Sequence, residues 1–304
     1  MMKGLDRRRG ASAEHAKIVF DVFCGVYRMV FREPERGSGL AAAVFSLFLV
    51  ALVVTTVYIF AAHIWPMPPA ITHVGHWIDQ QYRLTLWVTG IIFILAQLTL
   101  AWMVFRYRDR GQKARFVRGS HVLEIVWTTA TLVLFTTLGA MAVRAWAQVH
   151  FISPVPGALQ VDVMAEQFTW NFRYPGPDGK FAPTAPIYYS DANGNPFGID
   201  PSSKDTDDIV SPILVVPVGQ EVVLHLESKD VIHDFYVREL RIKQDIVPGM
   251  NIPIHFTPLK IGEYHIMCAQ LCGLGHNRMH SMMRVVSESD FQKWLKQQEA
   301  ENQQ

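Results

Sequence analysis

The sequence has few cysteines and few charged residues for its length. Three cysteines in 304 residues cannot form the disulfide framework of a small secreted domain. Charged residues make up 18% of the chain and the formal net charge is +1, which excludes a uniformly basic nucleic-acid-binding protein and a disordered acidic chain. No nucleic acid partner is therefore expected. A Cys-x-x-Cys-His motif is also lacking, so the chain is not predicted to carry a covalently attached haem.

The small net charge hides a division into a basic half and an acidic half. Residues 1–146 carry 16 Lys/Arg and 8 Asp/Glu, a balance of +8, whereas residues 147–304 carry 12 and 19, a balance of −7. Half of the chain is hydrophobic. This composition excludes a wholly soluble enzyme and predicts a membrane part followed by a separate domain.

Three runs without a charged residue predict transmembrane helices. They cover residues 40–64, 84–105 and 125–143 and are 25, 22 and 19 residues long. At ~1.5 Å per residue each run can cross, or nearly cross, a hydrocarbon core about 30 Å thick. The first run is longer than the core of a secretion signal, so we expect an extra transmembrane helix over residues 40–65, with a cleaved signal as the alternative. Residues 84–146 are then predicted to form a helical hairpin.

The Lys and Arg residues predict how the chain crosses the membrane. The N-terminal segment of residues 1–39 holds eight of them and loop 106–121 holds six, whereas loop 66–83 holds one. Because positively charged loops stay in the cytoplasm, we expect residues 1–39 inside and residues 147–304 outside. Glu124 lies at the cytoplasmic start of the third run, where it is either a snorkelling interfacial residue or a proton uptake point facing a partner subunit.

From residue 159 onward the sequence is a series of short β-rich runs separated by Pro, Gly, Asn and Asp. This pattern predicts a β-sandwich or Greek-key barrel. Residues 181–210 interrupt the rhythm and are predicted to be an inserted surface loop or hairpin. Ser287 or Ser289 is placed to cap a short C-terminal helix.

A cluster of soft metal ligands lies near the end of this domain. Two thiols, one imidazole and one thioether fall within 12 residues, and a second imidazole lies upstream; these are Cys268, Cys272, His276, Met279 and His233. Sulfur with imidazole favours copper, but a mononuclear blue copper site needs only one Cys. Structural zinc usually takes Cys and His in pairs of their own. Two coppers bridged by both thiolates would use every donor and would suit electron transfer, while another metal or a disulfide are the alternatives.

Several stretches together resemble subunit II of the haem–copper oxidases, the CuA-bearing subunit of cytochrome c oxidase. They are residues 123–128, 167–174, 230–233, 245–249 and 268–279, and the resemblance runs from about residue 84 to residue 294. It implies a cupredoxin-like Greek-key barrel on a two-helix membrane hairpin. With the extra first span, we expect a membrane-anchored all-β protein in which three transmembrane helices precede the barrel and a short C-terminal helix follows it. It implies a partner subunit I in the bacterial plasma membrane. The implied ligands of a binuclear copper centre are His233, Cys268, Gln270 through its carbonyl, Cys272, His276 and Met279, and Glu124 would lie at the mouth of a proton channel.

The sequence departs from the family pattern in ways that affect its cofactors and its electron donor. The first run of residues 40–64 adds a span before the usual hairpin. Gln270 stands where many members have a Glu that binds magnesium at the subunit boundary; Gln lacks the anionic oxygen, so a strong magnesium site is not predicted. Phe168 stands where many members have the Trp that receives electrons from cytochrome c. Trp170 and Tyr174 are the alternative residues for receiving electrons.

The resemblance implies electron transfer from outside the membrane to haem in subunit I. The donor would be cytochrome c, or a cytochrome c domain of a partner complex, and subunit I would reduce oxygen while protons are translocated. One alternative is the CuA-bearing subunit of a nitric oxide reductase. A membrane-anchored copper-delivery protein is an alternative from a different class, but such a carrier needs exchangeable copper and usually fewer ligands.

Overall fold

A computed structural model describes residues 39–62, 66–111, 113, 116, 118–203 and 207–302. The predicted N-terminal segment therefore lies, apart from Gly39, outside the described residues. The described chain divides into two compact units. One contains the described residues up to position 65 together with residues 88–119, and the other contains residues 66–87 and those from 120 onward. The domain boundaries expected from the sequence stay a prediction.

Three long apolar helices account for the three charge-free runs. They are α1 (Gly39–Ala61), α2 (His73–Arg106) and α3 (His121–His150), and each is long and apolar enough to cross a membrane. The second and third helices are longer than their charge-free runs, because helical hydrogen bonding continues through polar residues at their ends whereas hydropathy marks only the apolar part. The Oγ of Ser120 accepts a hydrogen bond from the N–H of Leu123 and caps the start of α3.

The rest of the described chain is a β-sandwich followed by a short helix, as predicted. Two five-stranded sheets have the orders β3-β2-β1-β5-β8 and β4-β10-β9-β6-β7. Strands β1 and β5 run parallel, as do β4 and β10, and the other neighbours are antiparallel. The strands are β1 (Leu159–Glu166), β2 (Thr169–Tyr174), β3 (Ile209–Ser211), β4 (Leu214–Pro217), β5 (Val222–Ser228), β6 (His233–Val237), β7 (Ile242–Ile246), β8 (Ile252–Phe256), β9 (Gly262–Cys268) and β10 (His280–Val286).

The core of the sandwich follows from the alternation of apolar and polar residues. On β1, Val161 and Val163 are buried, whereas Gln160 and Asp162 are partly exposed. Because side chains point to alternate faces of a strand, the two valines share one face and belong to the common core of the domain. The sheets thus bury their apolar faces against each other, and the strand ends and loops remain to carry the functional groups.

Two strands were missed by the sequence pattern. Strand β3 has only three residues, too few to show a period. Strand β7 carries Lys243 and Asp245 at partly or fully exposed positions between the buried Ile242 and Ile246, so it contains little continuous apolar sequence. Both strands pair at the edges of their sheets, where neighbours distant in sequence decide the pairing.

The inserted segment of residues 181–210 is held near both of its ends by one buried residue of the sandwich, Arg173. Arg173 on β2 donates to the carbonyl of Ala182 and pairs with Asp162 and Asp208. The described part of the segment contains two isolated antiparallel bridges, of which Thr184 with Ile199 is one. The ion pairs explain how a polar insertion is held without a core of its own.

The C-terminal helix α4 (Glu288–Asn302) begins as the sequence predicted. The Oγ of Ser287 accepts a hydrogen bond from the N–H of Asp290 at 3.2 Å. Phe291 is buried, and the ring of Trp294 lies 5.0 Å from that of Tyr174. The helix therefore covers one edge of the sandwich through its aromatic side chains.

Candidate metal centre

The sulfur and imidazole donors meet because two neighbouring strands hold the two ends of the site. Strand β6 begins at His233 and β9 ends at Cys268, and the antiparallel pairing places Phe235 opposite Cys268. After Cys268 the chain forms a loop, residues 268–279, which we call the ligand loop. The N–H of Cys268 donates to the carbonyl of Met279 at 3.1 Å, so the loop closes and returns its last residue to its first.

The donor atoms of the five side chains lie close together. The sulfurs of Cys268 and Cys272 are 3.9 Å apart. Nδ1 of His233 is 3.9 Å from the Cys268 sulfur, and Nδ1 of His276 is 3.6 Å from the Cys272 sulfur. The Met279 sulfur is 3.8 Å from that of Cys272. Each thiol therefore has an imidazole of its own, and the thioether lies beside one thiol only.

These separations fit metal coordination better than a disulfide. A disulfide bond is about 2.0 Å long, so the cysteines are free thiols in this structure. Two ligands that bind one ion at ~2.0–2.3 Å can be up to about 4.5 Å apart. The ligand atoms of His233, Cys268 and Cys272 all lie within 4.8 Å of one another and form the one metal-binding group of three or more His, Cys, Asp or Glu found among the described residues.

A main-chain oxygen completes the donor set. The carbonyl oxygen of Gln270 is 3.2 Å from the Cys268 sulfur, whereas the Met279 sulfur is 3.8 Å from the Cys272 sulfur. The donors are thus two thiols, two imidazoles, one thioether and one carbonyl, arranged as two unequal halves about the pair of sulfurs. Soft sulfur and imidazole donors of this kind fit copper.

The surroundings of the site control which atoms carry protons. Burial and the neighbouring thiol of Cys268 raise the pKa of Cys272 to about 11, so a metal that binds here displaces protons. Burial opposes the ionisation of Asp230, but hydrogen bonds, the largest from His233, lower its pKa below the usual 3.8. The carboxylate accepts a hydrogen bond from Nε2 of His233 at 2.7 Å. The imidazole can then present an unprotonated Nδ1 toward Cys268.

The aromatic residues predicted to receive electrons lie at different depths. Phe168 is 37% exposed, and its ring covers Gly275 so closely that any side chain there would collide with it. Trp170 is fully buried, with its ring 6.5 Å from that of His233. Tyr174 is buried as well, and its hydroxyl donates to the carbonyl of Val215 at 2.9 Å. Only Phe168 of these three can touch a docked protein directly.

Glu124 lies far along the sequence from the ligand loop, in the first turn of α3. Its Oε2 is 3.3 Å from Nδ1 of His121, and the Glu124 side chain is half exposed. A negative charge in a first turn is favourable because it faces the positive end of the helix dipole. That structural role is compatible with either interpretation made from the sequence.

Two further residues contact the site, and neither has a role predicted from the sequence. Asp230 binds His233, and Gln167 donates from its carboxamide to the carbonyl of Cys272. Asp230 precedes His233 by only three positions, a spacing that could have suggested a contact. Gln167 gives no comparable signal because 105 residues separate it from Cys272.

Apolar helices that can cross a membrane precede a β-sandwich with a buried group of cysteine and histidine side chains. These features define the class of membrane-anchored proteins that bind a soft metal ion. Residues 159–289 match the family described as cytochrome c oxidase subunit II, periplasmic domain. The chain is 34% identical over 256 residues to the alternative cytochrome c oxidase subunit 2 of Bradyrhizobium diazoefficiens, covering 83% of this chain and 90% of that relative. The chain belongs to the cytochrome c oxidase subunit II family.

A second relative agrees with this assignment. The cytochrome c oxidase subunit 2 of Cereibacter sphaeroides is 29% identical over 235 residues, which cover 73% of this chain and 75% of the relative. Among solved structures, the periplasmic domain of subunit II of cytochrome oxidase from Bradyrhizobium japonicum is 26% identical and covers 49% of this chain and 99% of its own, with a TM-score of 0.36.

Family membership confirms several predictions. The protein is subunit II of a haem–copper oxidase, with oxidoreductase function, a cupredoxin-like domain and a membrane anchor that carries this domain on the outer side. The family implies a copper centre, and the cysteine–histidine group is where the described residues can hold a metal. The relatives are oxidase subunits, so the nitric oxide reductase alternative gains no support from them.

Proposed function

We propose that the ligand loop and His233 hold a binuclear CuA centre that takes electrons from a c-type cytochrome outside the bacterial plasma membrane and passes them to haem in subunit I. The observation that carries this proposal is the pair of buried thiols 3.9 Å apart, each with its own imidazole. A single four-coordinate metal could bind both thiols and both imidazoles, but it would leave Met279 and the Gln270 carbonyl without a role. Two metals bridged by both sulfurs use the complete set.

The residues of the chain would prepare the site for electron transfer in three ways. Cys268 and Cys272 would hold the metals through their thiolates, His233 and His276 would each bind from one half of the site, and Met279 and the Gln270 carbonyl would donate weakly. When bound, two thiolate-bridged coppers share one unpaired electron and change geometry little on gaining or losing an electron. Burial of His233 and both cysteines keeps water away, which limits reorganisation of solvent around the site.

The same geometry argues against copper delivery. A delivery protein must release its copper, and release is easiest from an exposed site with few donors. Here Met279 and both thiols are buried, and the ligand loop is closed by a main-chain hydrogen bond between Cys268 and Met279. The donor set supports a resident metal centre.

Glu124 is the residue we propose for proton uptake at the cytoplasmic side. Its half-exposed carboxylate beside His121 supports the proposal, since an ionisable group at that position must meet water or a partner subunit. Replacing Glu124 with Gln is expected to slow oxygen reduction in the complex and to leave the reduction of the copper centre by its donor unchanged.

The electron-transfer proposal is tested in the purified oxidase complex that contains this chain. Reduced cytochrome c is mixed with the complex, and reduction of the copper centre and of haem is followed in time. We expect copper reduction before haem reduction in the native complex and loss of both in Cys272→Ser. As a control for assembly, a small artificial reductant that reaches the haem directly should still reduce it in the variant. Undiminished haem reduction by cytochrome c in Cys272→Ser would contradict the proposal.

A further inference from the structure

The turn between β1 and β2 reaches from one sheet of the sandwich to the ligand loop of the other. Glu166 pairs with Thr169, so Gln167 and Phe168 form a two-residue turn at the tip of this hairpin. Strands β1 and β2 belong to the first sheet, whereas β6, β9 and β10 around the metal site belong to the second. The turn thus contacts the site from the opposite sheet, and it belongs to a part of the chain that contributes no metal ligand.

Gln167 contacts both halves of the donor set through two different groups. Its side-chain Nε2 donates a hydrogen bond to the carbonyl oxygen of Cys272. Its main-chain N–H donates to Oδ2 of Asp230 at 2.7 Å, and Oδ1 of the same carboxylate accepts from Nε2 of His233 at 2.7 Å. One residue therefore joins the His233 half to the Cys272 half by an unbroken series of hydrogen bonds.

The ligand loop needs a support of this kind in its middle. Its ends are held by main-chain hydrogen bonds, in which Cys268 donates to Met279 and Ala269 donates to Asp234 on β6. Between them, Leu271 and Leu274 are exposed and make no contribution to the core. Gly273 has φ +142°, a backbone conformation open to glycine and rarely to other residues. The Cys272 side chain is buried in the core, but its exposed neighbours give its main-chain carbonyl little packing, so the hydrogen bond from Gln167 supports this carbonyl.

The fit between the turn and the loop is close at two glycines. A side chain at Gly275 would collide with the Phe168 ring, and one at Gly273 would come within 2.8 Å of Nε2 of Gln167. The turn therefore lies directly on the backbone of the ligand loop. Gln167 itself is exposed, so its contacts with the loop rather than core packing define its role.

We infer that Gln167 is a positioning residue of the metal centre: its carboxamide holds the Cys272 carbonyl, and so fixes the Cys272–His276 half relative to the His233 half. It acts through Cys272 and Asp230 and does not bind the metal. This inference rests on the proposed binuclear centre. Residues that orient metal ligands commonly affect metal affinity by about 10–100-fold.

The test uses the full-length chain, purified in detergent and loaded with copper. Gln167→Leu removes the donor, and Gln167→Glu keeps the size of the side chain but replaces the donating amide with a carboxylate. Both variants retain the main-chain N–H that binds Asp230. We expect copper release to a chelator about tenfold faster than in the native chain, with less even sharing of the unpaired electron between the two coppers in the electron spin resonance spectrum.

Gln160→Leu is the matched control. Gln160 lies on β1, the strand that leads into the turn, and its carboxamide oxygen is 2.9 Å from Nε2 of His225. It precedes Gln167 by seven positions, or roughly 20 Å along an extended strand, so it cannot touch the ligand loop. Its loss should leave copper release and the spectrum unchanged.

The outcomes separate the inference from the proposed function. Native rates and spectra in both Gln167 variants would overturn the inference while leaving the binuclear centre intact. A native chain that does not bind two coppers would instead overturn the proposed function. If Gln167→Leu does not fold, Gln167→Glu decides, because it preserves the size of an exposed side chain and replaces the hydrogen bond donor with a carboxylate that cannot donate.

Discussion

Arg241, immediately before β7, and Asp79, on α2, form a two-point ion pair. Nε of Arg241 is 2.7 Å from Oδ1 of Asp79, and Nη2 is 3.0 Å from Oδ2. Nη2 also donates to the carbonyl of Pro68 at 2.6 Å. The side chains are only 8% and 14% exposed. This contact ties the outer end of a membrane helix to the sandwich that carries the metal ligands.

Removing the carboxylate of this pair should destabilise the protein strongly. In Asp79→Ala the guanidinium stays buried without its partner, and we expect a loss of about 2–3 kcal/mol in the free energy of unfolding. Glu263→Ala is the matched control, because Glu263 pairs with Arg284 at 2.9 Å while both side chains are more than half exposed. That change should cost less than about 0.5 kcal/mol. Denaturant unfolding of the full-length chain in detergent measures both, and equal losses would refute the expectation.

Asp208 gives the sandwich a specific pH dependence. Burial raises its pKa from the ordinary 3.8 to about 6, although Arg173 and the N–H of Ala182 oppose the shift. Because the folded state holds this proton more tightly than the unfolded state does, the stabilisation is complete below about pH 4 and is lost as the pH rises to about 6.

The Asp208→Asn variant isolates this contribution. We expect the difference in unfolding free energy between the native chain and Asp208→Asn to change by on the order of 1–2 kcal/mol between about pH 4 and pH 6. Above that range the difference should be constant. Thermal or denaturant unfolding at a series of pH values measures it, and a difference that is flat throughout would show that Asp208 is ionised in the folded state as it is in the unfolded state.

The sequence predicts local features better than contacts between distant segments. The apolar helices were predicted because each is marked by a charge-free run, and the ligand loop because two Cys, one His and one Met fall within 12 residues. Both patterns lie within a short stretch of sequence. Edge strands β3 and β7 were missed because their pairing depends on neighbours far away in the sequence. The hydrogen bond between Gln167 and Cys272 joins opposite sheets, and no local pattern reports which hairpin turn will lie on which loop.

The predicted topology places the metal centre outside and the N-terminus inside. Protease added to sealed spheroplasts should digest the sandwich and spare residues 1–39. The first apolar helix should be retained, since α1 has 23 residues without a charge and is long enough to cross a membrane. The apolar core of a secretion signal is shorter, at about 7–15 residues. N-terminal sequencing of the mature protein gives the direct check. A mature sequence that begins after Ala61 would show that this helix is a cleaved signal.

The acidic balance of residues 147–304 predicts a positively charged electron donor. A soluble cytochrome c should reduce the complex in a second-order reaction that slows as salt rises, because ions screen charges over ~8 Å at physiological salt. A donor domain held in a partner complex should instead give a first-order phase that salt does not affect. Fast reduction by quinol without any cytochrome c would contradict both forms of the prediction.

Phe168 is the residue of the metal centre most suited to meet that donor. Phe168→Ala should slow reduction by cytochrome c by about tenfold while two coppers remain bound. Phe181→Ala is the control, since the Phe181 ring lies in the inserted segment, 4.7 Å from the guanidinium carbon of Arg173. Equal rates in the native and Phe168→Ala complexes would exclude this residue from the electron route.

The binuclear centre is tested most directly by electron spin resonance and copper analysis of the full-length chain. For a binuclear centre we predict two coppers per chain and, in the mixed-valence form, a spectrum from one electron shared by two copper nuclei. Cys268→Ser and Cys272→Ser should abolish that spectrum, whereas Met279→Leu should retain copper and shift the reduction potential. One copper per chain with the spectrum of a single nucleus would contradict the proposed binuclear centre.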